Sequence, residues 1–143
     1  KSIGYFTLVL DILKAIIPVI YVKIFYQDFL YIASLCAFLG HVFPIWLKFK
    51  GGKGVACFFG GFLIISPIPT LISMAVWMVT VKITKISSLG ALLSIFLLTS
   101  YQIVSNYGTL NKVTIFVIML LIFWKHSENI KRLIQGKENK INL

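Results

Sequence analysis

Apolar residues run almost unbroken over 3–25, 29–47, 55–81, 86–104 and 113–124, with short polar segments between the runs. The runs are continuous and do not alternate apolar with polar residues, which disfavours the strands of a membrane barrel. A helix crosses a bilayer with about 20 apolar residues, within a range of roughly 17–25. Most of the runs qualify. The last is short unless Lys112 and Lys125 extend their charged ends to the headgroups. The pattern predicts an all-α polytopic transmembrane bundle in one domain covering residues 1–143.

The positions of the lysines set the number of crossings. Basic residues gather at Lys48/Lys50/Lys53, at Lys82/Lys85, and at Lys125, Lys131, Arg132, Lys137 and Lys140, whereas the links at 26–28 and 105–111 carry none. Cytoplasmic segments are enriched in Lys and Arg. Placing all three clusters inside requires 55–81 to cross and return. Ser66-Pro67-Ile68-Pro69 is the expected break, because proline lacks an N–H and the residue before it avoids the helical region. Six spans with both ends cytoplasmic are therefore expected, although each half of 55–81 is short for a span.

Composition agrees with a bilayer and narrows the partners. Of 143 residues, 59% are hydrophobic and 13% charged, against about 25% charged in a soluble domain. A net charge of +10 would suit nucleic acid in a soluble protein. Here the charges lie between apolar runs, which points instead to anionic lipid headgroups and a phosphorylated substrate, with no nucleic acid. Cys36 and Cys57 match no metal or redox spacing and are expected as buried free thiols.

Two segments could carry chemistry. In Lys50-Gly51-Gly52-Lys53-Gly54 the glycines let the backbone approach a ligand and present its amides, and Lys50 and Lys53 bring positive charge. The apolar run from Val55 would place those amides at a helix N-terminus, an anion site. A nucleotide P-loop is excluded, since Gly54 follows Lys53 where Ser or Thr is required and Leu47 replaces the first glycine. A charged turn with no ligand fits the loop equally well. The second segment is 125–132. On a helix His126 and Asn129 would share a face, as would Glu128 and Arg132; histidine moves protons near neutral pH. A basic juxtamembrane helix fits this segment too. Asp11 and Lys14, three apart within the first run, are functional candidates as intramembrane charges, or a self-satisfying pair. His41, ahead of Pro44, is placed to brace the lysine loop.

These residues resemble a known family. Gly40-His41-x-Phe43-Pro44 with Phe49-Lys50-Gly51-Gly52-Lys53-Gly54-Val55-Ala56 is similar to the central motif of the bacterial acyl-phosphate:glycerol-3-phosphate acyltransferases. His126-x-x-Asn129-Ile130-x-Arg132-Leu133, then Gly136 and Glu138, resembles their C-terminal motif, and Asp11-Ile12-x-Lys14 the opening of their second span. The resemblance implies a seven-span enzyme of the bacterial inner membrane, of which this chain would supply spans two to seven. Its implied reaction carries a fatty acyl group from acyl phosphate to the 1-hydroxyl of glycerol 3-phosphate, giving lysophosphatidate. It uses no metal, no cofactor, and no acyl-CoA or acyl-carrier-protein donor.

The same resemblance assigns His126 and Asn129 to catalysis, with either His126 or a substrate phosphate taking the hydroxyl proton. Gly51, Gly52, Lys53, Gly54, Lys50 and Arg132 would bind phosphate, and Arg132 would pair with phosphate or with Glu128. His41, Pro44, Glu128, Glu138, Asp11 and Lys14 would support them. The chain departs from the family at Cys57, Ala15 and Ser127, where Thr, Gly and Arg are usual. A family motif with a phosphate-holding serine and arginine would precede Lys1, so the chain alone is expected to lack part of its phosphate site. The rival readings are a non-catalytic remnant and a small anion transporter.

Overall fold

A computed structural model describes residues 2–105 and 108–141. Its elements are α1 (Ser2–Phe25), α2 (Leu30–Val42), α3 (Val55–Ile65), α4 (Pro67–Thr84), α5 (Ser87–Ser105), α6 (Thr109–Lys125) and α7 (Ser127–Ile134), with single 3-10 turns at Gln27–Phe29 and Ile45–Leu47. Among the described residues there is no strand. The exterior is apolar, unlike that of a soluble protein. Apolar side chains such as Phe6, Ile17, Ile68, Leu71, Val104, Leu110 and Trp124 face outward, while Thr70, Ser94, Thr99, Gln102 and Thr114 are buried. Lipid tails solvate such an exterior, and association then rests on close packing and internal hydrogen bonds.

Phe38, Phe58, Phe62, Ile95, Leu98, Ile115, Ile118 and Ile122 form the centre, contributed by α2, α3, α5 and α6. α3 lies between α1, α2 and α4. It comes so near α1 that a side chain at Gly60 would meet the Ile12 carbonyl at 2.7 Å. The helix break falls at Ser66, as the prolines predict, and Pro67 opens α4. Thr70 Oγ1 donates to the Ser66 and Phe62 carbonyls at 2.7 and 2.9 Å, tying the start of α4 to the last turn of α3. Gln102 Nε2 donates to Ser66 Oγ, and Tyr31 Oη donates to Gln102 Oε1 at 2.8 Å. Lys23 Nζ donates to the Ile64 carbonyl at 2.7 Å, a cation on a helix C-terminus.

That polar cluster marks one end of the bundle; the three basic clusters lie together at the other. Ile141 N–H donates to the Lys85 carbonyl at 2.8 Å, and Lys53 Nζ donates to Asn129 Oδ1 at 2.5 Å. Residues 55–81 thus leave that end and return to it.

Not every expected crossing is a single long apolar helix. Among the described residues, three helical stretches are each long and apolar enough to cross by themselves: Gln27–Leu47, Pro67–Thr84 and Ser87–Ser105. α6 and α7 make a fourth only if taken together through a 62° bend. α1 has the length, at 24 residues, but carries Asp11, Lys14 and Lys23. α3 has 11 residues, and at about 1.5 Å per residue it covers only half of the bilayer core. Cys57 is buried as expected, but Cys36 is exposed on α2. A helix apolar on every side gives no sign of which side packs inward.

Candidate functional site

The loop between α2 and α3 is built by Pro44 and its glycines. Pro44 takes an extended conformation and its carbonyl accepts the N–H groups of Leu47 and Phe49 at 3.1 and 3.0 Å. Lys48 and Phe49 both sit at positive φ, which reverses the chain and brings Gly51 N–H to the Val42 carbonyl at 3.2 Å. Gly54 caps α3 at φ 81, where a side chain would strike the Phe38 ring. The following amides open α3, with their positive end toward the loop.

Opposite this loop α6 ends and the chain bends into α7. His126 is buried at the junction, 2% exposed. Its Nδ1 lies 2.8 Å from the Ile122 carbonyl. A carbonyl only accepts, so Nδ1 carries the hydrogen and the neutral ring keeps its lone pair on Nε2. Asn129, one turn on, accepts from Lys53 through Oδ1 and donates to Glu138 Oε1 through Nδ2, each at 2.5 Å.

Glu138 reaches the site because Gly136, at φ 66, ends α7. Lys137 N–H bonds back to the Arg132 carbonyl at 2.8 Å and Gly136 N–H to Leu133 at 3.0 Å, the paired bonds of a glycine-terminated helix. The tail then folds over the pocket. Arg132 Nε donates to Glu138 Oε2 at 2.7 Å and Ser88 Oγ to Oε1 at 2.8 Å. Burial pushes the Glu138 carboxyl up, but the hydrogen bonds from Asn129, Arg132 and Ser88, with the Arg132 charge, outweigh it and hold the group at about 2. Partial burial pulls the Lys53 ammonium below the ordinary lysine value; Glu138 opposes that shift and Arg132 adds to it.

A depressed carboxyl stabilises the fold fully above its unfolded value near 4.5 and loses that contribution as pH falls toward about 2. Glu138→Gln should therefore lower the thermal midpoint of the detergent-solubilised protein by several degrees at pH 7. Its deficit against the unsubstituted protein should shrink as the pH is lowered from about 5 toward 2. A deficit independent of pH would show that the carboxylate charge does not hold the tail.

Between these walls lies a cavity of about 610 Å³. Its polar end includes Asp11, His41, Gly52, Lys53, Gly54, Ser88, His126, Asn129 and Glu138; its apolar wall includes Leu8, Phe59, Met74, Trp77 and Ala91. The structure thus gathers most of the residues singled out in the sequence. Lys50, Gly51, Pro44, Lys14, Glu128 and Arg132 do not line the cavity. Lys50 and Glu128 are exposed, Gly51 and Pro44 shape the loop from behind, and Lys14 pairs with Asp11 at 2.6 Å. Arg132 pairs with Glu138 and not with Glu128, because the tail turns back beneath α7. Ser88 joins the site without a sequence signal, since a serine in the first turn of a helix reads as an ordinary end residue.

Fold and pocket together mark the chain as an integral membrane protein with a cavity, polar on one side and apolar on the other, at one end of its bundle. Comparison with known proteins agrees. The family model for glycerol-3-phosphate acyltransferase matches residues 1–136. A glycerol-3-phosphate acyltransferase of Pelagibacter ubique (strain HTCC1062) is 49% identical over 144 residues, spanning 100% of this chain and 74% of the relative. One from Ehrlichia chaffeensis (strain ATCC CRL-10679 / Arkansas) is 36% identical over 146 residues, with the same two shares. The crystal structure of PlsY (YgiH), an integral membrane glycerol 3-phosphate acyltransferase, in its glycerol 3-phosphate form superposes with a TM-score of 0.89 at 33% identity, covering 99% of this chain and 72% of that one. Its lysophosphatidic acid form gives the same score and identity. The chain belongs to the glycerol-3-phosphate acyltransferase family.

Proposed function

We propose that the protein transfers a fatty acyl group from an acyl phosphate to the 1-hydroxyl of glycerol 3-phosphate, releasing lysophosphatidate and inorganic phosphate. The observation that carries this reading is the cavity, in which a lysine–glycine loop faces His126 and Asn129 beside an apolar wall. An acyl phosphate has the same two halves. Its phosphate suits the loop amides and Lys53, and its chain suits Phe59, Met74 and Trp77. Holding both reactants in one cavity supplies much of the acceleration.

The acyl phosphate is already activated, so direct attack needs no covalent enzyme intermediate. The glycerol hydroxyl oxygen bonds to the acyl carbon, the bond from that carbon to the phosphate oxygen breaks, and phosphate leaves. His126 Nε2, whose lone pair is kept free by the bond from Nδ1 to Ile122, takes the hydroxyl proton. Asn129 orients the polyol. The test is incorporation of labelled glycerol 3-phosphate into lysophosphatidate by the protein in liposomes, with palmitoyl phosphate or a palmitoyl thioester as donor. Product from the phosphate donor alone supports the reading; product from the thioester alone overturns the donor assignment.

The loops at this end of the bundle face the cytoplasm in this reading, with the protein in a bacterial inner membrane. Ten basic residues lie on that side among the described residues: the three of residues 48–53, Lys82, Lys85 and the five of residues 125–140. A single cysteine at position 85, in a protein lacking Cys36 and Cys57, should react with a membrane-impermeant thiol reagent only once cells are opened. Labelling from outside intact cells would reverse the orientation.

A further inference from the structure

The tail beyond α7 is held more firmly than an end of lysines and asparagines requires. Gly136, at φ 66, turns it back. Lys137 N–H then bonds to the Arg132 carbonyl at 2.8 Å, and four residues later Ile141 N–H bonds to the Lys85 carbonyl at 2.8 Å. Lys85 itself ends α4 in the left-handed region, at φ 60. Residues 137–141 thus form a strap pinned at both ends, running from the end of α7 to the turn between α4 and α5. Its middle is fastened by Glu138, whose carboxylate accepts from Asn129, Arg132 and Ser88. One side of the strap is wet, with Lys137 and Lys140 exposed. The other side lines the cavity through Glu138, Asn139 and Ile141. Ordering these residues costs conformational entropy. Glu138 alone completes the polar end, and residues 139–141 add no charged group to the cavity; what they do is cover it.

We infer that the strap is a water barrier: it shuts the polar end of the cavity on the side of α7 and the α4–α5 turn, so that the activated acyl group meets the glycerol hydroxyl and not water. The inference rests on the donor reading above. An acyl phosphate is a mixed anhydride, and water is a rival nucleophile for its acyl carbon. In that rival reaction a water oxygen bonds to the acyl carbon and the bond from carbon to the phosphate oxygen breaks. Free fatty acid and phosphate leave, one water proton going to the phosphate and the other to solvent. A base that accepts a proton from a glycerol hydroxyl accepts one from water equally well, so the smaller nucleophile has to be kept out by closure. Gly136 and Ile141 are the fixing points. The first sets the direction of the strap and the second closes its far end, and neither belongs to the groups that move the acyl chain.

The test measures free palmitate against lysophosphatidate made by the protein in liposomes from labelled palmitoyl phosphate, with and without glycerol 3-phosphate. With the acceptor present, the unsubstituted protein should form far less palmitate than lysophosphatidate. Ile141→Pro removes the N–H that reaches Lys85. Gly136→Ala puts a side chain at a left-handed position that has open space around it, so only backbone strain is added. Each should raise palmitate formation about fivefold over the unsubstituted protein, the weight of one net hydrogen bond on the open population of the strap. Gly136→Asn, which tolerates the left-handed conformation, should stay near the unsubstituted level. Palmitate outrunning lysophosphatidate in the unsubstituted protein would overturn the inference, whether or not any variant folds. So would variants that keep their thermal midpoints while palmitate stays unchanged, or while palmitate and lysophosphatidate fall together. If palmitoyl phosphate gives no lysophosphatidate, the donor reading fails, and the same partition measured with a palmitoyl thioester decides whether the strap excludes water.

Discussion

Lys53→Ala should lower kcat/KM by about a hundred- to a thousandfold, the usual loss when one preorganised group that stabilises developing charge is removed. Lys53 is the only lysine that lines the cavity among the described residues. In the proposed reaction both substrates are anions and the leaving group is phosphate, so charge at this point acts on binding and on bond breaking. The substitution also releases Asn129 Oδ1 from its 2.5 Å bond, which loosens the acceptor side. Arginine should not restore activity, because a planar guanidinium cannot replace a compact ammonium between a glycine loop and an amide. Partial burial brings the lysine proton off at lower pH than usual, so the alkaline fall of kcat/KM should begin below the ordinary lysine range and vanish in the alanine variant. Unchanged kcat/KM for Lys53→Ala would remove the loop from the donor site.

His126→Ala should cost about a hundred- to ten-thousandfold in kcat, the range for losing a positioned proton acceptor. Its Nδ1 is committed to the Ile122 carbonyl, so only Nε2 can serve the cavity. His126→Gln leaves a polar group there without a basic lone pair and should be nearly as slow. The rate of the unsubstituted protein should fall on the acid side as the imidazole charges, and the variants should lose that limb. If both variants keep the acid limb and most of the rate, the proton goes to the donor's own phosphate and His126 only orients the site.

Much of this site is legible in residue order because its parts are local. The glycine loop, His41 and Pro44 fall within 15 consecutive residues, 40–54, and a break at Ser66 follows from the missing N–H of proline. The partners of Glu138 are not legible in the same way. A tail of Lys, Glu and Asn reads as solvated until Gly136, at φ 66, folds it back onto Arg132, Ser88 and Asn129. The half-length of α3, by contrast, follows from the break expected at Ser66–Pro69, which leaves only 55–65 before it. The outward face of Cys36 is hidden, because a uniformly apolar helix carries no record of its buried side.

The most direct test of the account follows the phosphorus. The protein in liposomes, given palmitoyl phosphate and glycerol 3-phosphate, is observed by phosphorus NMR. The account predicts that one acyl phosphate and one glycerol 3-phosphate disappear for each lysophosphatidate and each inorganic phosphate formed, and that Lys53→Ala and His126→Ala slow all four signals together. Phosphate released without lysophosphatidate, or lysophosphatidate formed while the acyl phosphate signal stays constant, would contradict it.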